Sequence, residues 1–229
     1  MNKLKISQVQ FQASHIPALN AEILEKSFNN TLKFKPHLIC TPECSNIITN
    51  DKSYLILNAP YQNTCPVLKM AKDFAKKNKV NINLGSLVLR IKNKTKLVNR
   101  SFFINNYGVI KKTYDKIHMF DVEINNKERH KESSLFKAGN KIIFTKINNI
   151  KLGMTICYDL RFPSLYRKLA KDCEIILVPA AFTRPTGKDH WEILNRSRAI
   201  ENNVFIAVSY THLRAHETPE HLVCRLLRE

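Results

Sequence analysis

The stretch KLGMTICYDLRFPSLYRKLAKDCEIILV, residues 151–178, decides the fold class. Its opening, Lys151 to Ile156 (KLGMTI), is a short apolar run of the kind that forms a buried strand, and it ends at Cys157. Ser164 to Asp172 then reads as helical, and Glu174 to Val178 (EIILV) is a second apolar run. A strand, a crossover helix and a strand make a βαβ unit, which needs a parallel sheet. C-terminal to it, Lys188 to Asn202 reads as a long helix with Trp191, Leu194, Arg198 and Glu201 on one face, and Val204 to Val208 as the next strand. N-terminal to it, Leu4 to Phe11 alternates like a strand, and Pro17 opens a helix carrying Leu19, Ile23, Leu24, Phe28 and Leu32. His37 to Cys40 is a short strand, and Pro66 opens a helix with Val67, Met70, Ala71 and Phe74 on one stripe; a strand then runs through Ile82 to Arg90. Strands around Phe102 and Val109 flank Asn105, Asn106, Tyr107 and Gly108, a hairpin turn signal. Asp115 to Lys141 is polar, irregular and long, which marks it as a candidate active-site loop. Strands alternate with helices without a linker or repeat, so one α/β domain is expected.

Composition narrows the function. The chain has 229 residues, 44% of them hydrophobic, enough for a sizeable core. No run of about 18 apolar residues occurs, and the start MNKLKISQVQF lacks the apolar region of a secretory signal. A cytoplasmic protein with no membrane contact is expected. The net charge of +18 invites a nucleic-acid reading, but the lysines are spread over almost every segment instead of clustering. That charge is read as compositional, with a basic nucleic-acid-binding protein kept as the competing class. Six cysteines (Cys40, Cys44, Cys65, Cys157, Cys173 and Cys224) show no CxxC pair, so neither a zinc site nor a disulfide framework is suggested. Five glycines form no phosphate-binding loop. No metal or organic cofactor is expected.

The final stretch stands apart. Residues 209–229 contain no Lys, Asn or Ile, residue types that dominate the preceding sequence, and SYTHLRAHET resembles a translated sequencing adapter. The native domain is therefore read as residues 1–208, incomplete at its C-terminus, followed by a non-native tail; a genuine divergent tail is the alternative.

Three polar residues sit where strands end or loops begin: Glu43, Lys116 and Cys157. In open α/β sheets those are the places where sites are built. Singly, each has a bland explanation: a solvated turn, a surface lysine, a core thiol. Their contexts change the reading. TPECSNI (Thr41 to Ile47), YDKIHMFDVE (Tyr114 to Glu123), GMTICYDLRFPSLYR (Gly153 to Arg167) and PAAFTRPTGKDHWEILNRSRAIEN (Pro179 to Asn202) occur in this order and spacing. Together they resemble the nitrilase, or carbon-nitrogen hydrolase, superfamily, and within it the Nit-type amidases.

The resemblance covers Leu4 to Val208 and implies an αββα sandwich whose protomers pair as a homodimer. It implies that Cys157 is the nucleophile, Glu43 the general base and acid, and Lys116 the cation that meets the oxyanion with the backbone N–H of Tyr158. These types suit the chemistry, because a thiol at neutral pH needs a proton acceptor and a cation beside it to attack a carbonyl. Glu132 matches the family's second glutamate and would orient Glu43 or the hydrolytic water, with Glu128 as its rival. Tyr158, Ala181, Phe182 and Thr183 are matched to the substrate pocket. Asp159 and Arg161 are matched to the turn that presents Cys157, and Trp191, Arg196, Arg198 and Glu201 to packing and the dimer interface. The implied reaction is hydrolysis of a small linear amide, deaminated glutathione amidase-like, with omega-amidase or N-carbamoyl amino acid hydrolase as alternatives. His118 and His130 raise a Cys-His hydrolase as a competitor. Members of the superfamily continue past Val208, so an inactive fragment is the remaining alternative.

Overall fold

The computed structural model describes residues 3–125, 128–182 and 184–212, with the backbone alone described at 124, 125, 128, 129, 182, 184–189, 211 and 212. The chain opens with strand β1 (Ile6–Gln8), helix α1 (Pro17–Leu32) and strand β2 (Leu38–Cys40). Helices α2 (Lys52–Asn58) and α3 (Pro66–Asn78) precede the meander β3 (Asn81–Arg90), β4 (Leu97–Ile104) and β5 (Ile110–Asp115). A hairpin of β6 (Asp121–Asn125) and β7 (Glu128–Lys131) follows, then β8 (Phe144–Ile147) and β9 (Ile150–Met154). Helix α4 (Pro163–Ala170), strand β10 (Ile175–Phe182), helix α5 (Arg184–Asn202) and strand β11 (Phe205–His212) complete the described chain.

Two sheets carry the fold. The first has the order β1-β2-β3-β4-β5, parallel through β3 and antiparallel from there. The second has the order β11-β10-β9-β8, parallel except for the β8–β9 hairpin. They face one another: Leu38, Cys40, Phe103 and Tyr114 from the first pack in one cluster with Leu152, Met154, Ile176 and Val178 from the second. Outside the first sheet, α1 and α3 bury Leu24, Phe28, Val67, Ala71 and Phe74 against Ile82, Leu84, Val98 and Phe102. Outside the second, Leu165 and Leu169 of α4 and Trp191 and Leu194 of α5 cover β9 to β11. The result is the four-layer αββα sandwich that the resemblance implies.

Local rules account for the elements. Both α1 and α3 start on a proline, which costs nothing where the first N–H groups have no helical acceptor. Their buried residues recur at three- and four-residue steps, and Phe28 meets Phe74 edge to face at 5.2 Å. Helix α3 stops at Lys79, which takes the left-handed conformation common at helix C-termini (φ 54°).

The structure adds to the sequence reading. Helix α2 and strand β8 were not foreseen, and the segment expected to be irregular contains the β6–β7 hairpin. Strand β10 runs past Pro179, a residue that ordinarily ends a strand. It is tolerated because β9 pairs only with Ile175 to Leu177, so Pro179 has β11 on one side and no ladder bond to lose on the other. Strand β11 continues through Ser209 and Tyr210 to His212 in register with β10, and Tyr210 stacks on Trp191. Residues 213–229 lie outside the described residues. Among the described residues no helix is long and apolar enough to cross a membrane.

One close approach sets the geometry between the sheets. The register of β3 shifts between Leu84 and Leu87, and the shift swaps which parity faces the helices: Ile82 and Leu84 before it, Leu87 and Leu89 after it. Within this bulge sits Gly85, where a Cβ would lie 2.0 Å from the Thr41 carbonyl oxygen, 2.5 Å from that of Pro42 and 2.5 Å from the Pro179 Cβ. Gly85→Ala is expected to force these backbones apart and cost about 2–3 kcal/mol. A thermal melt equal to that of the parent chain would refute this account.

Candidate active site

The bulge in β3 serves as a latch for the turn after β2. Gly85 N–H donates to the Thr41 hydroxyl at 3.0 Å, Ser86 N–H to the Pro42 carbonyl at 3.2 Å, and Cys44 N–H to the Ser86 hydroxyl at 2.9 Å. Asn46 then acts as a strand partner with its side chain: its amide donates to the Val88 carbonyl and accepts from the Val88 N–H, both at 2.8 Å. The segment Thr41 to Asn46 is thereby fixed, and Glu43 projects between the sheets, only 4% exposed.

Lys116 follows the last residue of β5 and is 2% exposed. Its backbone N–H donates to the Asn99 carbonyl at 3.0 Å, and its carbonyl accepts from Gly139 N–H at 2.8 Å. The ammonium Nζ lies 3.0 Å from Glu43 Oε1 and 3.1 and 2.9 Å from the two oxygens of Glu132. Glu132 opens a 3-10 turn, Glu132–Ser134, and its Oε2 also accepts from Phe120 N–H. Glu132 thus meets Lys116 directly, and its link to Glu43 runs through the ammonium. The backbone of Glu128 lies in β7.

Cys157 lies just beyond β9, where Thr155 prolongs the pairing by donating its N–H and hydroxyl to the Leu177 carbonyl. It starts a 3-10 turn, Cys157–Arg161, with a positive φ of 47°, a conformation that is uncommon for a non-glycine residue. The turn directs the thiol inward, 7% exposed, close enough to Glu43 that the carboxylate acts on its ionisation. Ala181 enters through its backbone: its N–H donates to Glu43 Oε2 at 3.0 Å. Tyr158 sets its ring edge-on to Phe120 at 5.1 Å and Phe162 at 5.7 Å. Thr183 and the Phe182 side chain lie outside the described residues.

Glu43, Lys116, Glu132 and Cys157, distant in the sequence, therefore form one cluster. Asn99 belongs with them and was missed: its amide donates to Glu43 Oε1 at 2.9 Å. A signal was present, because strand alternation puts Asn99 on the face of β4 shared by Ser101 and Phe103, toward the second sheet, where an amide needs a partner. His118 is turned away from the thiol. Its Nδ1 sits 2.7 Å from Asp159 Oδ1 and its ring stacks on Phe162 at 3.6 Å, so a Cys-His arrangement with His118 is not what the geometry forms. Arg161 reaches His190 Nδ1 at 2.9 Å. Among the described residues no group of three or more His, Cys, Asp or Glu side chains is placed to hold a metal ion.

The electrostatics follow from burial. Burial acts against the Lys116 ammonium, yet the carboxylates of Glu43 and Glu132 outweigh it and hold its pKa above the ordinary lysine range. Burial, reinforced by the charge of Glu43 and opposed by Lys116, pushes the Cys157 thiol well above the ordinary cysteine range. The arrangement therefore stores a neutral thiol against a carboxyl group that can take its proton, with a fixed cation alongside. It can pass a proton from sulfur to Glu43 as sulfur becomes a nucleophile, and it can meet a developing negative charge with Lys116.

A sequence-family profile described as carbon-nitrogen hydrolase matches residues 8–222. The chain is 41% identical over 172 residues to the deaminated glutathione amidase of Yersinia enterocolitica, an overlap of 74% of this chain and 60% of that protein. It is 35% identical over 214 residues to the deaminated glutathione amidase of Dictyostelium discoideum, covering 90% of this chain and 74% of the relative. Its fold superimposes on the crystal structure of the Caenorhabditis elegans NitFhit protein with a TM-score of 0.84 at 29% identity, covering 96% of this chain and 54% of that one.

A thiol with a raised pKa is protonated at neutral pH and gains thiolate as pH rises. Alkylation of Cys157 by iodoacetamide, followed by peptide mass spectrometry to separate it from the other cysteines, is expected to accelerate about tenfold per pH unit between pH 6 and 9. A rate independent of pH over that range would instead indicate a preformed thiolate.

Proposed function

The chain belongs to the carbon-nitrogen hydrolase family, and on that premise we propose that it is a thiol amidase that cleaves the C–N bond of a small linear amide. The observation that carries this reading is the cluster itself: a buried thiol at a strained turn, beside a carboxylate that shares one ammonium with a second carboxylate. Two relatives at 35–41% identity bear the name deaminated glutathione amidase, which makes deaminated glutathione the first substrate to try. A mechanism that needs Cys157 as a free thiol suits a reducing, cytoplasmic setting.

The chemistry can be followed atom by atom. Glu43 takes the proton from Cys157 Sγ as the sulfur attacks the carbonyl carbon of the amide. The oxygen becomes an oxyanion, met by Lys116 Nζ and by the Tyr158 N–H, which lies in the first turn of the 3-10 segment, where N–H groups lack helical acceptors. Glu43 then gives its proton to the amide nitrogen, the C–N bond breaks, ammonia departs and the acyl group remains on sulfur as a thioester. A water molecule that loses its proton to Glu43 attacks the thioester carbon. The acid leaves, and Glu43 returns the proton to sulfur. Lys116 holds its proton throughout, as its raised pKa requires. Asn99 and the Ala181 N–H hold one oxygen each of Glu43, so the carboxylate keeps its place while its charge comes and goes.

Ammonia release from deaminated glutathione, α-ketoglutaramate and N-carbamoyl amino acids tests the reading. Cys157→Ala is expected to reduce turnover to background, and Glu43→Gln to lower kcat about 10²- to 10⁴-fold, the usual value of a positioned general acid-base group. Turnover that survives Cys157→Ala would sink the proposal. Release from α-ketoglutaramate alone would leave the mechanism standing and move the substrate to that of an omega-amidase.

A further inference from the structure

We infer that Asp159 is a positioning residue that binds the Lys116 segment to the Cys157 turn, with Tyr114 and His118 as its handles on the lysine side. The inference rests on the amidase reading for what the two groups do, but not for where they sit.

Asp159 is completely buried, 0% exposed, and lies two residues after the nucleophile. Its Oδ2 accepts from the Tyr114 hydroxyl at 2.7 Å and from Ile156 N–H at 2.9 Å. Its Oδ1 accepts from His118 N–H at 3.0 Å and lies 2.7 Å from His118 Nδ1, which carries the hydrogen because an ionised carboxylate can only accept. Four donors thus fill a carboxylate that offers about four acceptor sites. The pattern of those donors is informative. Tyr114 and His118 stand two residues before and two after Lys116, so Asp159 holds the lysine segment from both sides and leaves the ammonium to Glu43 and Glu132. Ile156 immediately precedes Cys157, so Asp159 also closes the turn in which Cys157 takes its positive φ.

A second link runs parallel to the first. The ring of His118 stacks on Phe162 at 3.6 Å and an interplanar angle of 11°, while Phe162 N–H donates to the Asp159 carbonyl at 3.0 Å. Tyr114 is fully buried, and burial together with the Asp159 charge pushes its hydroxyl far above the ordinary tyrosine range, so it remains a donor. No described contact of Asp159 reaches Glu43, Glu132 or the thiol. Its influence on the chemistry is the distance it sets between sulfur and ammonium, which come from different sheets and share no backbone hydrogen bond. A displacement of about 1 Å between reacting groups can cost on the order of 10² in rate.

The test compares Asp159→Asn, Tyr114→Phe and His118→Asn with the parent chain. In Asp159→Asn the amide turns an N–H toward donors that expect an acceptor. The rate of Cys157 alkylation at fixed pH, normalised to the folded fraction from the melt, is expected to change about tenfold or more. For the amide substrate, kcat is expected to fall about 10²-fold with KM within about threefold. Tyr114→Phe and His118→Asn are expected to act in the same direction with smaller effects, and neither should add to Asp159→Asn in a double variant. Should Asp159→Asn fail to fold, the two single-donor variants carry the test. If alkylation and kcat per folded site match the parent in every folded variant, Asp159 only stabilises the fold and the inference is wrong. If the parent chain releases no ammonia from any amide, the amidase reading fails while the alkylation rates still decide the role of Asp159.

Discussion

One buried ammonium constrains the molecule around it. Taking a lysine out of water costs several kcal/mol unless opposite charge and hydrogen bonds replace the lost hydration. Lys116 finds three carboxylate oxygens within 3.1 Å, from a turn after β2 and from a 3-10 turn past the β6–β7 hairpin. Glu43 could not be buried without it, and it could not be buried without the two carboxylates. The turns that carry Glu43 and Glu132 therefore need to be rigid, and each is: one is latched to the bulge in β3, the other is pinned by Leu97, whose N–H donates to the Leu135 carbonyl and whose carbonyl accepts from Lys137 N–H. The close approach at Gly85 then follows from the need to bring the first of these turns against the second sheet.

The nucleophile is placed by the opposite means. Where Lys116 is held by charge, Cys157 is held by backbone: a strand that ends, a left-handed residue and a short 3-10 turn. A thiol is small and weakly polar, so side-chain contacts alone would not orient it. The strain at φ 47° is sustained by Asp159, which accepts from the residue before the cysteine, and by α4, which starts on Pro163 directly after the turn. Both sheets thus present chemistry at or beyond strand ends, and the cleft between them brings the pieces together.

Much of this was legible beforehand, and the part that was not has a common physical character. Glu43, Lys116 and Cys157 could be picked out because the strings around them, taken together and in order, resemble a known superfamily; singly, each has a bland explanation. Glu132 was preferred over Glu128 by motif match, but its partner was not foreseen: a side-chain ion pair between a strand end and a loop leaves no periodic trace. Asn99 is absent from the sequence reading, which places a strand around Phe102 from the turn that follows it, although a buried amide in a central strand is itself a signal. The resemblance matches Asp159 to the turn, where it accepts from Ile156 N–H, but its bonds to Tyr114 and His118 span 45 and 41 residues and depend on how the two sheets stack. The β3 bulge reverses the inside and outside of a strand midway, which no alternation rule can anticipate.

The charge of the chain and the charge of its site point in opposite directions. The sequence carries a formal +18, whereas the buried cluster holds one ammonium, two carboxylates and a neutral thiol, a formal −1. Screening confines exposed lysines to a weak influence beyond about 10 Å, so the surface does little to set the protonation of the site. Within the cluster, moving the proton from Cys157 to Glu43 turns one anion neutral and creates another, and the sum stays at −1. A buried site that changed its net charge in that step would meet the desolvation penalty anew. This one only relocates a negative charge between two atoms beside the same ammonium, which is why a thiol with a raised pKa is compatible with a reactive one: it needs to ionise only in the presence of a carbonyl that takes the electrons.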